Sequence, residues 1–170
     1  MRHTGLDTVR ERLAAYLTEH GVEAVSAWPE RARPPAAGAV AAVSLRRCEG
    51  ADAGFGDYLG ERYNEETGRW EELYGKRLTL TFGLDLFAGT GEAAGERQVR
   101  SAFDRMNAAL QSGGPKGLKI RDLSCGETVY DRTAGRYRCP VEAVCEVRLY
   151  AAAEEGGAFL DFQVKGAAEA

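Results

Sequence analysis

The chain is poor in the residues that most often announce chemistry. It has two histidines, His3 and His20, and four cysteines, Cys48, Cys125, Cys139 and Cys145, with no C-x-x-C pair. Zinc sites are built from more tightly spaced ligands, so no metal is expected. Both histidines lie near the N-terminus, so neither a Ser-His-Asp set nor a histidine partner for the acidic segments can be assembled by recognisable spacing. No catalytic residue and no cofactor is therefore expected, and the chain reads as a non-enzyme. No apolar run approaches the roughly 20 residues of a membrane span, and MRHTGLDTVRERL at the start lacks the apolar centre of a signal peptide. Positive charge is not in excess either. Lys and Arg number 22 against 26 Asp and Glu, a net −4, so no global basic field recruits nucleic acid or anionic membrane. These absences imply a cytosolic protein, or one that leaves the cell only by lysis. In that compartment the cysteines read as small, partly buried thiols. Cys139 and Cys145 share strand parity, so both are expected to face a core.

What is present is the composition of a globular domain, 44% hydrophobic and 28% charged over 170 residues. A chain near this length hides roughly 68–70% of its unfolded surface, enough for a real core. Leu6, Val9, Leu13, Tyr16 and Leu17 recur at helical spacing, with Thr4 and Asp7 as a capping box and Gly21 as the stop, predicting a helix near 6–20. VEAVSAW (22–28) predicts a short strand before the turn-rich PERARPP. AVAAVSLRRC (39–48) is an apolar strand. Leu78, Leu80, Phe82, Leu84 and Leu86 alternate with polar or small residues, predicting a strand with one face buried and one open. Val99, Phe103, Met106 and Leu110 predict an amphipathic helix near 95–112, stopped by SGGP. Its Arg97, Arg100 and Arg105 are read as a wet face. In LKIRDLSCGETVY the apolar parity changes from even (Leu118, Ile120) to odd (Leu123, Cys125), which a one-residue bulge near Arg121–Asp122 would reconcile. VEAVCEVRLYA (141–151) alternates again, and AFLDFQV predicts a last edge strand.

Two segments match. YNEETGRW (63–70) and YDRTAGRY (130–137) both run aromatic, Asn or Asp, three variable residues, Gly-Arg, aromatic. An Asn or Asp opening a turn and a Gly closing it is hairpin-tip chemistry, and the flanking aromatics can pair across the strands. LDLFA (84–88) likewise corresponds to VRLYA (147–151), at nearly the same offset along the chain. The chain reads as helix-strand-strand twice over.

Asp85-Leu86-Phe87-Ala88-Gly89-Thr90-Gly91 resembles the S-adenosylmethionine-binding loop of Rossmann-type methyltransferases. That resemblance implies a cofactor above the carboxyl end of a parallel strand. Against it, the strand alternates where a doubly covered parallel strand would be apolar throughout. The next acidic strand residue, Asp122, lies too far past Gly91 for a ribose-binding partner on the adjacent strand, and the chain left after Gly91 is too short for the rest of that fold. VRLYA ends a strand in the same way with no glycine after it. GFGDYLG (54–60) has similar spacing but follows no strong strand.

Residues 49–74 are the odd segment. They hold eight acidic and two basic residues, −6 in a chain of −4, together with Phe55, Tyr58, Tyr63, Trp70 and Tyr74. They read either as a solvated excursion or as a projecting hairpin arm whose aromatics anchor on a partner. The candidate interface is Phe55, Tyr58, Tyr63, Trp70 and Tyr74 with Glu65, Glu66, Glu71 and Glu72.

The expected fold is one α+β domain: a mostly antiparallel sheet from two hairpins, with two helices on one face. VRERLAAYLTEHGVEAV, KRLTLTFGLDLFA, ERQVRSAFDRMNAAL and RYRCPVEAVCEVRLYA, in the order helix, strand, long acidic hairpin, helix, hairpin, resemble the tail-terminator (tail-completion, head–tail joining) proteins of bacteriophages and prophages over residues 5–152. The resemblance implies a non-enzymatic homo-oligomer, a hexameric ring that ends the tail tube and meets tail-tube and head-connector proteins, with DNA only as passing cargo and no membrane. It places the chain in the host cytosol during assembly and then in the virion. The alternatives are a ferredoxin-like small-ligand-binding or sensor domain, and the methyltransferase.

Overall fold

Helix α1 (Leu6–Glu19) packs Val9, Leu13, Ala14 and Leu17 inward, the face that the heptad-like spacing implies. Its N-cap is Gly5, which gives no side-chain cap, so the expected Thr4–Asp7 capping box is replaced by bare backbone; Thr4 itself lies outside the described residues. The other end follows expectation. Gly21 (φ +81°) donates to the Thr18 carbonyl at 3.1 Å and Val22 to the Leu17 carbonyl at 2.9 Å, a Schellman closure that buries Val22 under the helix. The computed structural model describes residues 5–28, 38–52, 57–89, 92–154 and 159–165, with side chains up to Tyr150 other than those of Glu92, Ala93 and Leu149.

After β1 (Ala24–Ser26) and β2 (Ala39–Asp52) come the hairpin β3 (Tyr58–Asn64) and β4 (Arg69–Ala88), then α2 (Glu92–Gln111). The chain continues through β5 (Lys119–Cys125), β6 (Val129–Asp131), β7 (Arg136–Cys139), β8 (Val141–Glu154) and β9 (Phe159–Lys165). Among the described residues these strands form one nine-stranded sheet, an α+β fold. It is antiparallel apart from the short β1–β2 pair. Twenty-residue β4 is the spine. One edge pairs with β3 and then β2; the other pairs with β8 and then β7, which are a single path interrupted at Pro140. β5 and β9 lie outside β8. The strand expected over 39–48 thus extends to Asp52, and that over 78–86 begins at Arg69.

Both helices lie on one face. Val9, Leu13 and Leu17 of α1 and Val99, Ala102, Met106 and Leu110 of α2 share one cluster with Leu78, Leu80, Phe82, Leu84 and Leu86 of β4 and with Cys139, Ala143, Cys145 and Val147. The parity expected for Cys139 and Cys145 therefore holds, whereas Cys48 and Cys125 are exposed.

The strands β2 and β5, which pair with β4 and β8, each carry a bulge at an arginine. Arg121 falls between Ile120 and Asp122, where the parity change placed it; Arg46 falls between Leu45 and Arg47. The facing pairs are Phe82/Thr81 and Cys145/Val144, which stand at the same offset that relates LDLFA to VRLYA. The order is nevertheless richer than two plain helix-strand-strand units, because β1, β3, β6 and β9 have been added or split off.

Candidate functional site

The two matching turns fold alike. Asn64 Oδ1 accepts from the Glu66 and Thr67 amides at 2.9 and 3.3 Å; Asp131 Oδ1 accepts from Thr133 and Ala134 at 3.0 Å each. Gly68 (φ +66°) and Gly135 (φ +62°) close the turns in the left-handed region that favours glycine. Tyr63–Trp70 and Tyr130–Tyr137 pair across them at 5.5 and 5.0 Å.

The first hairpin is the larger, and β8 runs beside its β4 strand as far as the Glu71–Glu154 pair, so the turn at 64–70 is the part that extends past β8. No residue from Arg69 to Arg77 joins the helix-covered core. Register puts Tyr63 opposite Trp70, Glu61 opposite Glu72 and Tyr58 opposite Tyr74, so all six occupy the sheet face that carries the core residues further along β4. Among the described residues, the helices cluster with Leu78–Leu86 and not with these six. Trp70 is 60% exposed, Tyr63 50% and Tyr58 39%. The rings form edge-on pairs, Tyr58–Tyr74 at 5.5 Å. Tyr74 donates to Glu72 at 2.7 Å, a bond that pushes its phenol above the ordinary range. Burial first, then the Glu61 charge, raises Tyr58. Lys76 at the arm's root bridges Asp52 (2.5 Å) and Asp57 (2.7 Å), bonds that raise the amine and lower Asp52.

The nine residues of the expected interface do not all share this surface. Tyr58, Tyr63, Trp70, Tyr74 and Glu72 lie on it, and Glu65 and Glu66 are exposed at the tip. Phe55 lies outside the described residues. Glu71 points the other way and is buried: Arg62 donates to it at 2.7 Å and Asn64 at 2.6 Å, beside Leu73, Tyr150 and Leu59. It stiffens the arm instead of presenting charge.

The strand carrying LDLFA has antiparallel neighbours on both sides, β2 and β7, so it is not a parallel strand opening onto a cofactor. Thr90 and Gly91 lie outside the described residues. Gly95 of the same run has a packing reason: a Cβ there would overlap the Tyr137 ring. The expected open face of this strand is closed at its end, since Gly83, Asp85 and Phe87 are buried. Arg46, thrown out by the bulge, lies over Gly83; Arg136 stacks 4.1 Å over Phe87, beside Val40 and Ala42. Arg46 donates to fully buried Asp85 at 2.7 Å and to Glu142 at 3.3 Å. Sequence reading missed this cluster, because VSLRRC passes from apolar on both faces to polar on both and no alternation marks the bulge.

His20 is the C-cap, its Nδ1 2.8 Å from the Tyr16 carbonyl and its ring 4.0 Å from Tyr16. Arg97, Arg100 and Arg105 are exposed on α2, Arg100 paired with Glu96. An open cleft of about 510 Å³ lies between the C-terminal end of α2 (Asn107, Leu110, Gln111) and the β5 bulge. No helix among the described residues is long and apolar enough to cross a membrane. No protein-family model and no curated protein matches the chain.

Proposed function

We propose that this chain is a structural subunit of a phage or prophage tail, which closes into a ring through its β3–β4 arm, ends the tail tube and joins it to the head. The arm supports the reading. A hairpin with four aromatic rings on one sheet face and a buried Arg62–Glu71–Asn64 brace on the other, backed along β4 by β8, is stiff where it must reach and apolar where it must land. An exposed aromatic face of this kind marks a surface that a partner covers. A second copy of the chain covers it in a closed ring, in which each protomer both gives and receives an arm. Tail-tube and head-connector proteins meet the ring's two ends, and DNA passes without being bound. Exposed Glu65 and Glu66 repel phosphate, which suits passage without retention. The work takes place in the host cytosol and then in the virion, with no chemistry asked of the subunit.

Negative-stain microscopy of the purified chain, alone and with tail tubes, tests this. Rings that cap tube ends support it; a monomer that leaves tube ends open contradicts it. The ferredoxin-like ligand-binding reading draws on the cleft between α2 and β5. It would be favoured by a monomer whose Asn107 and Lys119 amide signals shift on screening small anions.

A further inference from the structure

Cys125 and Cys139 meet at a break in the ladder. Cys125 ends β5 opposite Val141, and the next residue, Gly126, donates its amide to the Pro140 carbonyl at 2.8 Å. Pro140 interrupts the path between β7 and β8, and residues 126–128 belong to no strand. This brings Cys139 Sγ to 3.5 Å from the carbonyl of Gly126, the residue next to Cys125. One sulfur of the pair is exposed and the other buried.

We propose that Cys125 and Cys139 are a modification site: a dithiol that closes to a disulfide on exposure to a small-molecule disulfide. The division of labour follows from exposure. Cys125 thiolate attacks one sulfur of the reagent, RSSR; that S–S bond breaks, RS⁻ departs and takes a proton from water, and Cys125–S–SR remains. Cys139 then loses its proton to solvent and attacks the Cys125 sulfur, and the second RS⁻ leaves as RSH. Two protein thiols are oxidised, one RSSR is reduced to two RSH, and no other oxidant is required. Burial, the largest effect on Cys139, pushes its thiol above the ordinary value, so it serves as the second, resolving thiol and not the first attacker. The irregular backbone at 126–128 supplies the freedom to reach disulfide geometry. The product ties the end of β5 to β7 and closes a loop around the second hairpin. A reducing cytosol keeps the pair open and an extracellular medium closes it. The proposal does not depend on the tail reading.

The test uses the full chain, reduced, freed of reductant and treated with oxidised glutathione under native conditions. Intact mass and tryptic mapping then locate the bond. The expected product has lost two hydrogens, keeps no glutathione, and links the 122–132 peptide to the 139–148 peptide with fragmentation placing the bond on Cys139 and not Cys145. Cys125→Ser, at an exposed position, should abolish that product. A glutathione adduct that persists on Cys125, or a disulfide formed instead through Cys48 or between two chains, would overturn the proposal.

Discussion

Replacing Arg46 by methionine should destabilise the protein far more than its half-exposed position implies. Asp85 has no solvent exposure, its Oδ2 is held by Arg46 at 2.7 Å, and its Oδ1 has no partner among the described residues. Arg46→Met keeps most of the aliphatic stem but strands a carboxylate inside the protein. Breaking one partner of a buried pair in this way costs about 3–5 kcal/mol, a large share of the roughly 5–15 kcal/mol by which domains are stable. Arg46 in turn is 30% exposed and retains Glu142, so Asp85→Ala should cost clearly less than Arg46→Met. The double variant should regain part of what Arg46→Met loses, because no charge is then stranded. Urea titration followed by far-ultraviolet circular dichroism is the suitable assay. Trp28 and Trp70 are 50% and 60% exposed and report the core poorly. If Arg46→Met costs under about 1 kcal/mol, or the double variant is the sum of the singles, the buried-pair reasoning is wrong.

Further outcomes follow from the same geometry. Gly83→Ala places a Cβ against the Arg46 guanidinium and should cost about 1–3 kcal/mol in the same titration, with little further loss in the Arg46→Met background. Gly68→Ala and Gly135→Ala each force a left-handed residue to carry a Cβ and should each lower stability by about 1–2 kcal/mol. Burial lifts the Cys145 thiol from 9.0 to about 12. Iodoacetamide at pH 8 should therefore modify Cys48 and Cys125 first and Cys145 only on unfolding. A folded thiol raised above its unfolded value contributes stability that is intact below pH 9 and lost between pH 9 and about 12, so the urea midpoint should fall across that window, and less in Cys145→Ala. Glu65→Lys with Glu66→Lys should leave stability within about 0.5 kcal/mol of the parent, since both lie in an exposed turn, while increasing retention on a DNA column.

Local pattern carried much of this fold. Period-two runs placed β4 and β8, 3.6-residue spacing placed both helices, Asn/Asp-x-x-x-Gly marked both hairpin tips, and a parity change located the Arg121 bulge. What escaped the sequence depends on which strand lies beside which. The Arg46 bulge sits where β2 turns from apolar on both faces to polar on both, so no alternation marks it. That Glu71 faces inward follows from its register with Arg62 across the hairpin, which composition cannot reveal. The same holds for Cys125 and Cys139, whose parity relation is scrambled by Pro140 and by the irregular 126–128. The LDLFAGTG run shows the opposite hazard, a short motif that suggests a parallel strand where LDLFA has antiparallel neighbours on both sides.

The central claim is that the aromatic face of the arm holds copies of this chain together. Light scattering of the parent and of Trp70→Ala across a dilution series tests it most directly, since Trp70 is the most exposed ring of that face and contributes nothing to the core. The account predicts one closed oligomer for the parent and monomers of unchanged thermal midpoint for Trp70→Ala. A parent that is monomeric at every concentration, or a Trp70→Ala protein that assembles as the parent does, would contradict it.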